Sequence, residues 1–187
     1  MSELLAELSC VARQSDSVLV EAAINGDADS FAELCKRYYP AMVAVAHSAL
    51  SDRHLAEDAA QQAFAKAAVS LPQLRKKARF AQWLAAICRN AANDIIQSRK
   101  PVRYREQSSA AAAERDDDTI DCVRQALGKL SASAREVIFL RFYDGLSYEQ
   151  MSAVLGISEQ AINGRLRRAK RRLANYLRGE GFGRARP

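Results

Sequence analysis

The chain has 187 residues, a formal net charge of +6 and 49% apolar residues, enough to bury a core in one ordinary domain or two small ones. With 8 Gly and 4 Pro, abundant Ala and only short β-branched runs, it favours helices over sheets. No apolar stretch approaches the ~18 residues needed to span a bilayer, MSELLAELSC lacks the basic start of a signal peptide, and Cys10, Cys35, Cys88 and Cys122 form no CxxC pair with each other or a metal spacing with His47 and His54.

These features predict a cytoplasmic chain with reduced, mostly buried thiols, no membrane insertion and no metal or other cofactor. The positive charge is concentrated in two blocks. One holds Arg75, Lys76, Lys77, Arg79, Arg89, Arg99, Lys100, Arg103 and Arg105, against the single internal acid Asp94. The other holds Arg165, Arg167, Arg168, Lys170, Arg171, Arg172, Arg178, Arg184 and Arg186, against Glu159 and Glu180. Two basic blocks suggest two contacts with nucleic acid, although each block alone also fits a solvated helix face.

In chain order, residues 1–15 read as an N-terminal extension with at most one marginal helix. Asp16 or Ser17 can cap VLVEAAIN, and Gly26 can close it in a left-handed conformation. DADS opens a longer helix whose Phe31, Leu34, Cys35, Tyr38 and Tyr39 fall at helical spacing. Pro40 marks a kink or a break in it. Ser51 or Asp52 caps a third helix, which Leu71-Pro72 ends. QLRKKAR is a basic loop, and a fourth helix follows from about Phe80 to Gln97 with Trp83, Leu84, Ile87, Ala91 and Ile95 on one stripe. Residues 101–118 lose all apolar periodicity and read as a linker, or as one more exposed helix through the AAAA run. Helical pattern returns at 119. Ser131 or Ser133 begins REVIFLRFY, with Ser133 and Glu136 spaced as a capping box. Ser147 and Gln150 form another before YEQMSAVL. Gly156 turns the chain and Ser158 caps the last long helix. Residues 179–187 form a basic tail. The fold class expected is all-α: two small helical domains, 16–100 and 119–178, joined by a flexible linker.

The last two helices carry the most specific signal. At 100° per residue, Ile162, Leu166, Ala169 and Leu173 lie within about 60° of one another and must pack on something. Gln160, Gly164, Arg167 and Arg171 lie opposite, flanked by Asn163 and Arg168. A short helix, a Gly turn, buried Ile157 and an arginine-rich second helix make a helix-turn-helix. Gln and Asn can pair with adenine and Arg with guanine, while the remaining cations neutralise phosphates.

LVEAAINGDADSFAELCKRYYP, AEDAAQQAF, FAQWLAAICRNAANDII and LSASAREVIFLRFYDGLSYEQMSAVLGISEQAINGRLRRAKRRL together resemble bacterial RNA polymerase sigma factors of the extracytoplasmic-function (ECF) group, over about residues 16–178. The resemblance implies that the chain binds core RNA polymerase and directs initiation at promoter DNA. It implies −35 recognition by Ser158, Gln160, Asn163, Gly164, Arg165, Arg167, Arg168 and Arg171. It implies −10 recognition and melting by Arg75, Lys76, Lys77, Arg79, Trp83, Arg89, Asn90, Arg99 and Lys100. Melting needs a pocket for a flipped base and cations for the backbone. Asn90 is placed for a base edge, and Trp83 either stacks on a base or packs in the core. Polymerase contact falls to Glu57, Asp58, Gln61 and Gln62. An anti-sigma factor is an implied partner, and the acids Glu114, Asp116, Asp117 and Asp118 would let the linker sit in a positively charged channel.

Three positions depart from the family pattern: Gln62 stands where an acid is usual, Ala81 where a basic residue is common after the Phe, and Asn163-Gly164 where Lys-Ser often precedes the Arg. The rival is a stand-alone helix-turn-helix regulator on an operator, which leaves the 75–105 block and the AEDAAQQAF helix unexplained. An enzyme is not expected: there is no paired-carboxylate metal site, Walker loop or nucleophile-base constellation, and no small-molecule substrate is implied.

Overall fold

A computed structural model describes residues 14–99 and 117–179. It places eight α-helices among them, here α1 (Asp16–Ile24), α2 (Ala28–Leu50), α3 (Arg53–Ser70), α4 (Phe80–Arg99), α5 (Asp117–Gly128), α6 (Ala132–Phe142), α7 (Tyr148–Leu155) and α8 (Glu159–Gly179). Short 3-10 turns at Leu71–Gln73 and Lys77–Arg79 lead from α3 into α4. Residues 1–13 of the predicted extension, most of the linker and residues 180–187 of the tail lie outside the described residues. Helix α5 begins at Asp117, two residues before the expected start of the second domain at 119.

Helices α1 to α4 form the N-terminal unit. Asp27 caps α2 by accepting from the Asp29 and Ser30 amides, and Asp52 caps α3 by accepting from Leu55. Gly26 takes φ +97, the left-handed value that glycine adopts without a Cβ clash. Asp16 does not cap α1, whose N-cap is Ser15 without a side-chain bond. Its carboxylate instead accepts from Arg37 Nη1 at 2.7 Å and from the Tyr38 hydroxyl, tying α1 to α2. Helix α2 runs on through Pro40, so the proline is neither a break nor an end.

Helices α5 to α8 form the second unit, with α6 and α7 packed on α8 and α5 against the far part of α8. Leu140, Met151, Ile162, Val137 and Val154 are among its fully buried side chains. The two units also pack on each other, α6 across α2 and α7 across α4. Residues 41 to 46 of α2 are all buried, which one-sided packing cannot achieve. Helices α3, α4 and α6 all pack on α2. One apolar cluster therefore continues from Leu34 and Phe80 through to Leu140 and Ile162.

Candidate nucleic-acid interfaces

The helix-turn-helix is built by local chemistry. Ser147 and Gln150 complete a reciprocal capping box: the Gln150 amide donates to Ser147 Oγ at 3.1 Å, and the Ser147 amide donates to Gln150 Oε1 at 2.8 Å. Gly156 ends α7 at φ +67. The Ser152 hydroxyl then donates to the Ile157 carbonyl at 2.7 Å, and Ser158 Oγ accepts from the Ala161 amide at 3.3 Å. Ile162, Leu166 and Ala169 are buried as their spacing predicts. Ser158, Gln160, Asn163, Arg167, Arg168 and Arg171 are exposed, and Gly164 and Arg165 half-buried. Among the described residues, no carboxylate lies within ion-pair distance of any arginine of α8. An uncompensated guanidinium row suits a polyanion.

These arginines divide into two groups. Arg167 and Arg171 share the outward face with Gln160. Arg165, Arg168 and Arg172 fall within about 60° of one another on a neighbouring stripe, and line a cavity of ≈ 190 Å³ with Ser131, Ser133 and Ala134 of the α6 start. No side chain caps α6, so its positive end faces the same hollow. Three cations, two hydroxyls and a helix start form a cradle of phosphate size, beside the face that can reach bases. Sequence reading counts Arg172 among the phosphate cations but leaves it out of the −35 residues, although its i+4 and i+7 spacing from Arg168 and Arg165 is plain. Gly164 leaves room over Arg168: a Cβ there would stand 3.4 Å from its Nη1.

The second basic face is on the N-terminal unit. Arg75, Lys76 and Arg79 line a hollow of ≈ 390 Å³ together with Gln73, Leu74, Gln82, Trp83 and Ala86. Trp83 is half-buried, tilted against Phe80 with centroids 6.0 Å apart, and its remaining edge lines the hollow. It packs on Phe80 at one side, and the edge that lines the hollow is the part a base can reach. Asn90 is exposed, seven residues from Trp83 and so only about 20° away around α4. The other −10 candidates are not gathered there. Lys77 pairs with Glu21 at 2.9 Å, and Arg89 Nε pairs with Glu136 of α6 at 2.8 Å. Arg99 lies about 180° around α4 from Asn90. Lys100 is outside the described residues.

Glu57, Asp58, Gln61 and Gln62 lie along α3, with all but the half-buried Glu57 exposed. Arg53 Nε donates to Glu57 at 3.0 Å, leaving Asp58 as the acid of that stripe without an ion-pair partner among the described residues. Nothing among the described residues gathers three or more His, Cys, Asp or Glu as a metal site. Cys88 is buried, its thiol pushed up to about 12 by desolvation and donating to the Met42 carbonyl at 3.2 Å, an inert core group. Cys35 and Cys122 are half-buried and free. None of the described helices is long and apolar enough to cross a membrane.

Comparison with known proteins identifies the family of both units. Residues 34–102 match the family Sigma-70 region 2, and residues 120–173 match Sigma-70, region 4. The chain is 30% identical over 181 residues to the ECF RNA polymerase sigma factor BldN of Streptomyces coelicolor, covering 89% of this chain and 69% of that one. Its fold is similar to CnrH solved in complex with the cytosolic domain of CnrY, with a TM-score of 0.61, 29% identity, and 89% and 99% of the two chains covered. It is also similar to the sigma factor RpoE solved in complex with the anti-sigma factor NepR from Bartonella quintana, with a TM-score of 0.50, 30% identity, and 79% and 96% covered. The chain belongs to the ECF group of RNA polymerase sigma factors, with region 2 in the N-terminal unit and region 4 in the helix-turn-helix unit.

Proposed function

We propose that this chain binds core RNA polymerase and directs promoter-specific initiation, with α8 reading the −35 element and the α4 face reading and melting the −10 element. The reading is supported by the presence, in one chain, of two basic faces of different chemistry. The α8 face presents Gln160, Asn163, Arg167 and Arg171 on a helix that fits a major groove about 12 Å wide. The α4 face offers a hollow with an aromatic edge, cations and the amide of Asn90, the parts that an extruded base and its backbone need. Arg165, Arg168 and Arg172 hold phosphates beside the base readers. Glu57, Asp58, Gln61 and Gln62 form the polymerase-facing stripe. The chain supplies binding and strand separation and no bond chemistry of its own, and it works where polymerase works, in the cytoplasm. An anti-sigma factor is its regulatory partner, by likeness to the RpoE complex with NepR.

A stand-alone operator-binding regulator would use the second unit only. It leaves the exposed α3 stripe and the α4 hollow without a task. Mixing the purified chain with core polymerase separates the readings: a sigma factor co-elutes with core on gel filtration, and Asp58→Arg weakens that assembly while the circular dichroism spectrum stays native. A chain that never co-elutes with core, yet binds duplex operators alone, is a regulator. Unchanged assembly of Asp58→Arg would remove Asp58 from the interface.

A further inference from the structure

We propose that Gly164 and Ala161 form an apolar dent in the reading face of α8 that takes the 5-methyl group of a thymine, and so fix one base pair of the −35 element. The proposal rests on the −35 role given above to α8. The outward face is otherwise polar, with Gln160, Asn163, Arg167 and Arg171 exposed. At 100° per residue Gly164 falls in the middle of it, within about 60° of Gln160, Arg167 and Arg171. Ala161 is exposed beside it, one turn toward the helix start.

Nothing within the chain calls for a glycine at 164. The residue sits inside the continuous helix Glu159–Gly179 and lacks the positive φ that Gly26, Gly145 and Gly156 adopt. A Cβ built there would meet the guanidinium of Arg168, with Nη1 at 3.4 Å and Nη2 at 4.0 Å. That is ordinary contact with the far end of a flexible side chain. Yet glycine weakens a helix interior more than any residue but proline. The space is therefore left open for something outside the chain, on the second turn of a helix whose first turns meet base edges.

The chemistry of the dent selects its occupant. Its floor is the Ala161 methyl and the bare Cα of Gly164. The backbone amides are already used: that of Ala161 donates to Ser158 Oγ at 3.3 Å, and that of Gly164 belongs to the helix ladder. Against such a floor, purine N7, O6 and N6 and cytosine N4 would each lose a hydrogen-bond partner. Thymine alone presents a carbon group in the major groove, and the flanking Arg167 and Arg168 can donate to its O4. Ala161 and Gly164 are about 4.5 Å apart along the axis, little more than one base-pair step of about 3.4 Å, so the dent serves a single step.

The test uses holoenzyme assembled from the full-length chain and core polymerase. Promoter duplexes with a randomised −35 segment are selected with wild type and with Gly164→Ala. Each thymine of the selected element, on either strand, is then replaced in turn by deoxyuridine, which lacks the methyl group and keeps every hydrogen bond. Fluorescence anisotropy gives affinities, and circular dichroism gives the Tm of the free chain. The wild-type element should contain a thymine at which deoxyuridine weakens binding about fourfold, the worth of one buried methyl group. Gly164→Ala should raise Tm by about 2–4 °C and lose about tenfold on the thymine element, with affinity for random duplex unchanged. Deoxyuridine at that thymine should restore much of the loss, because the Cβ and the methyl compete for one space. Ala161→Gln, which fills the dent from its other side, should likewise abolish the preference for thymine over deoxyuridine. Wild-type behaviour of Gly164→Ala on the thymine element overturns the proposal, as does an element with no thymine sensitive to methyl removal. A loss in Gly164→Ala that deoxyuridine leaves unrelieved overturns the methyl assignment. An unchanged thymine preference in Ala161→Gln removes Ala161 from the floor. If wild-type holoenzyme selects no −35 sequence at all, the −35 role of α8 fails and the dent has no task.

Discussion

Arg167 and Arg172 lie on the same helix, five residues apart and about 140° around it. Their surroundings predict different tasks. Arg167 is exposed on the face with Gln160, whereas Arg172 lines the cradle with Ser131 and Ser133. With a duplex bearing the −35 motif, Arg167→Ala should cost about 1–3 kcal/mol and flatten the preference for cognate over scrambled sequence. Arg172→Ala should weaken both sequences alike and reduce the slope of log K against log salt by about 0.9. Equal selectivity loss in both variants would contradict the division. The outward face was legible in the sequence because period alone sets it. The cradle was not, because it needs α6 to arrive beside α8, and that is a matter of tertiary packing. Gly164 costs about 1 kcal/mol within a helix. The structure supplies a neighbour for it in Arg168, whose guanidinium lies over the missing side chain.

At the scale of the element, caps separate what local chemistry decides from what packing decides. Ser147-x-x-Gln150 and Ser133-x-x-Glu136 have the same spacing, and sequence reading treats them alike. Only the first forms a box. Helix α6 starts at Ala132 with Ser131 as its N-cap, two residues earlier than a Ser133 cap would place it, and Ser133 Oγ faces Ser131 Oγ at 3.5 Å instead of a backbone amide. Ser147→Ala should lower stability by about 1 kcal/mol in thermal or urea melts, while Ser133→Ala should be close to neutral. A large loss at Ser133 would show that the cap forms in solution. Asp16 is a similar case: it reads as a cap, but its carboxylate goes to Arg37 and Tyr38. Asp27 and Asp52 do cap their helices, so sequence misleads only where, as at Asp16, a distant cation competes with the nearby amides. Helix identities, the Gly26 and Gly156 stops and the end of α3 at Leu71-Pro72 followed the expected pattern, since turn and period chemistry is local.

For the whole molecule, the all-α pattern and the two units were legible, but their mutual packing was not. The apolar run from Ala41 to Ala46 goes right round the helix and so calls for cover on every side, but it does not name the element that supplies the cover. The structure supplies it with α3, α4 and α6 together. Asp144, just after α6, reports on this junction. Burial raises its carboxyl to about 6, against the opposing pull of Arg53, and its Oδ2 has no hydrogen-bond partner among the described residues. A carboxyl with a folded pKa above its ordinary value near 3.8 binds more protons in the folded state than in the unfolded state between those values. Its contribution to stability therefore falls as pH rises from about 4 to about 6, and the penalty is complete above that. Asp144→Asn should raise stability on the order of 1 kcal/mol at pH 7.5, with the gain shrinking toward zero at pH 4.5. A gain independent of pH would mean that the carboxylate is solvated in solution.

The central claim is that this chain gives core polymerase its promoter choice through two faces acting together. Run-off transcription with purified core RNA polymerase on a library of genomic promoter fragments tests it most directly. The account predicts a small set of discrete start sites, absent with core alone, that share two motifs at fixed spacing. Within that set, Arg167→Ala should alter dependence on the upstream motif and Asn90→Ala dependence on the downstream one. Transcripts no different from those of core alone, or start sites sharing one motif only, would contradict it.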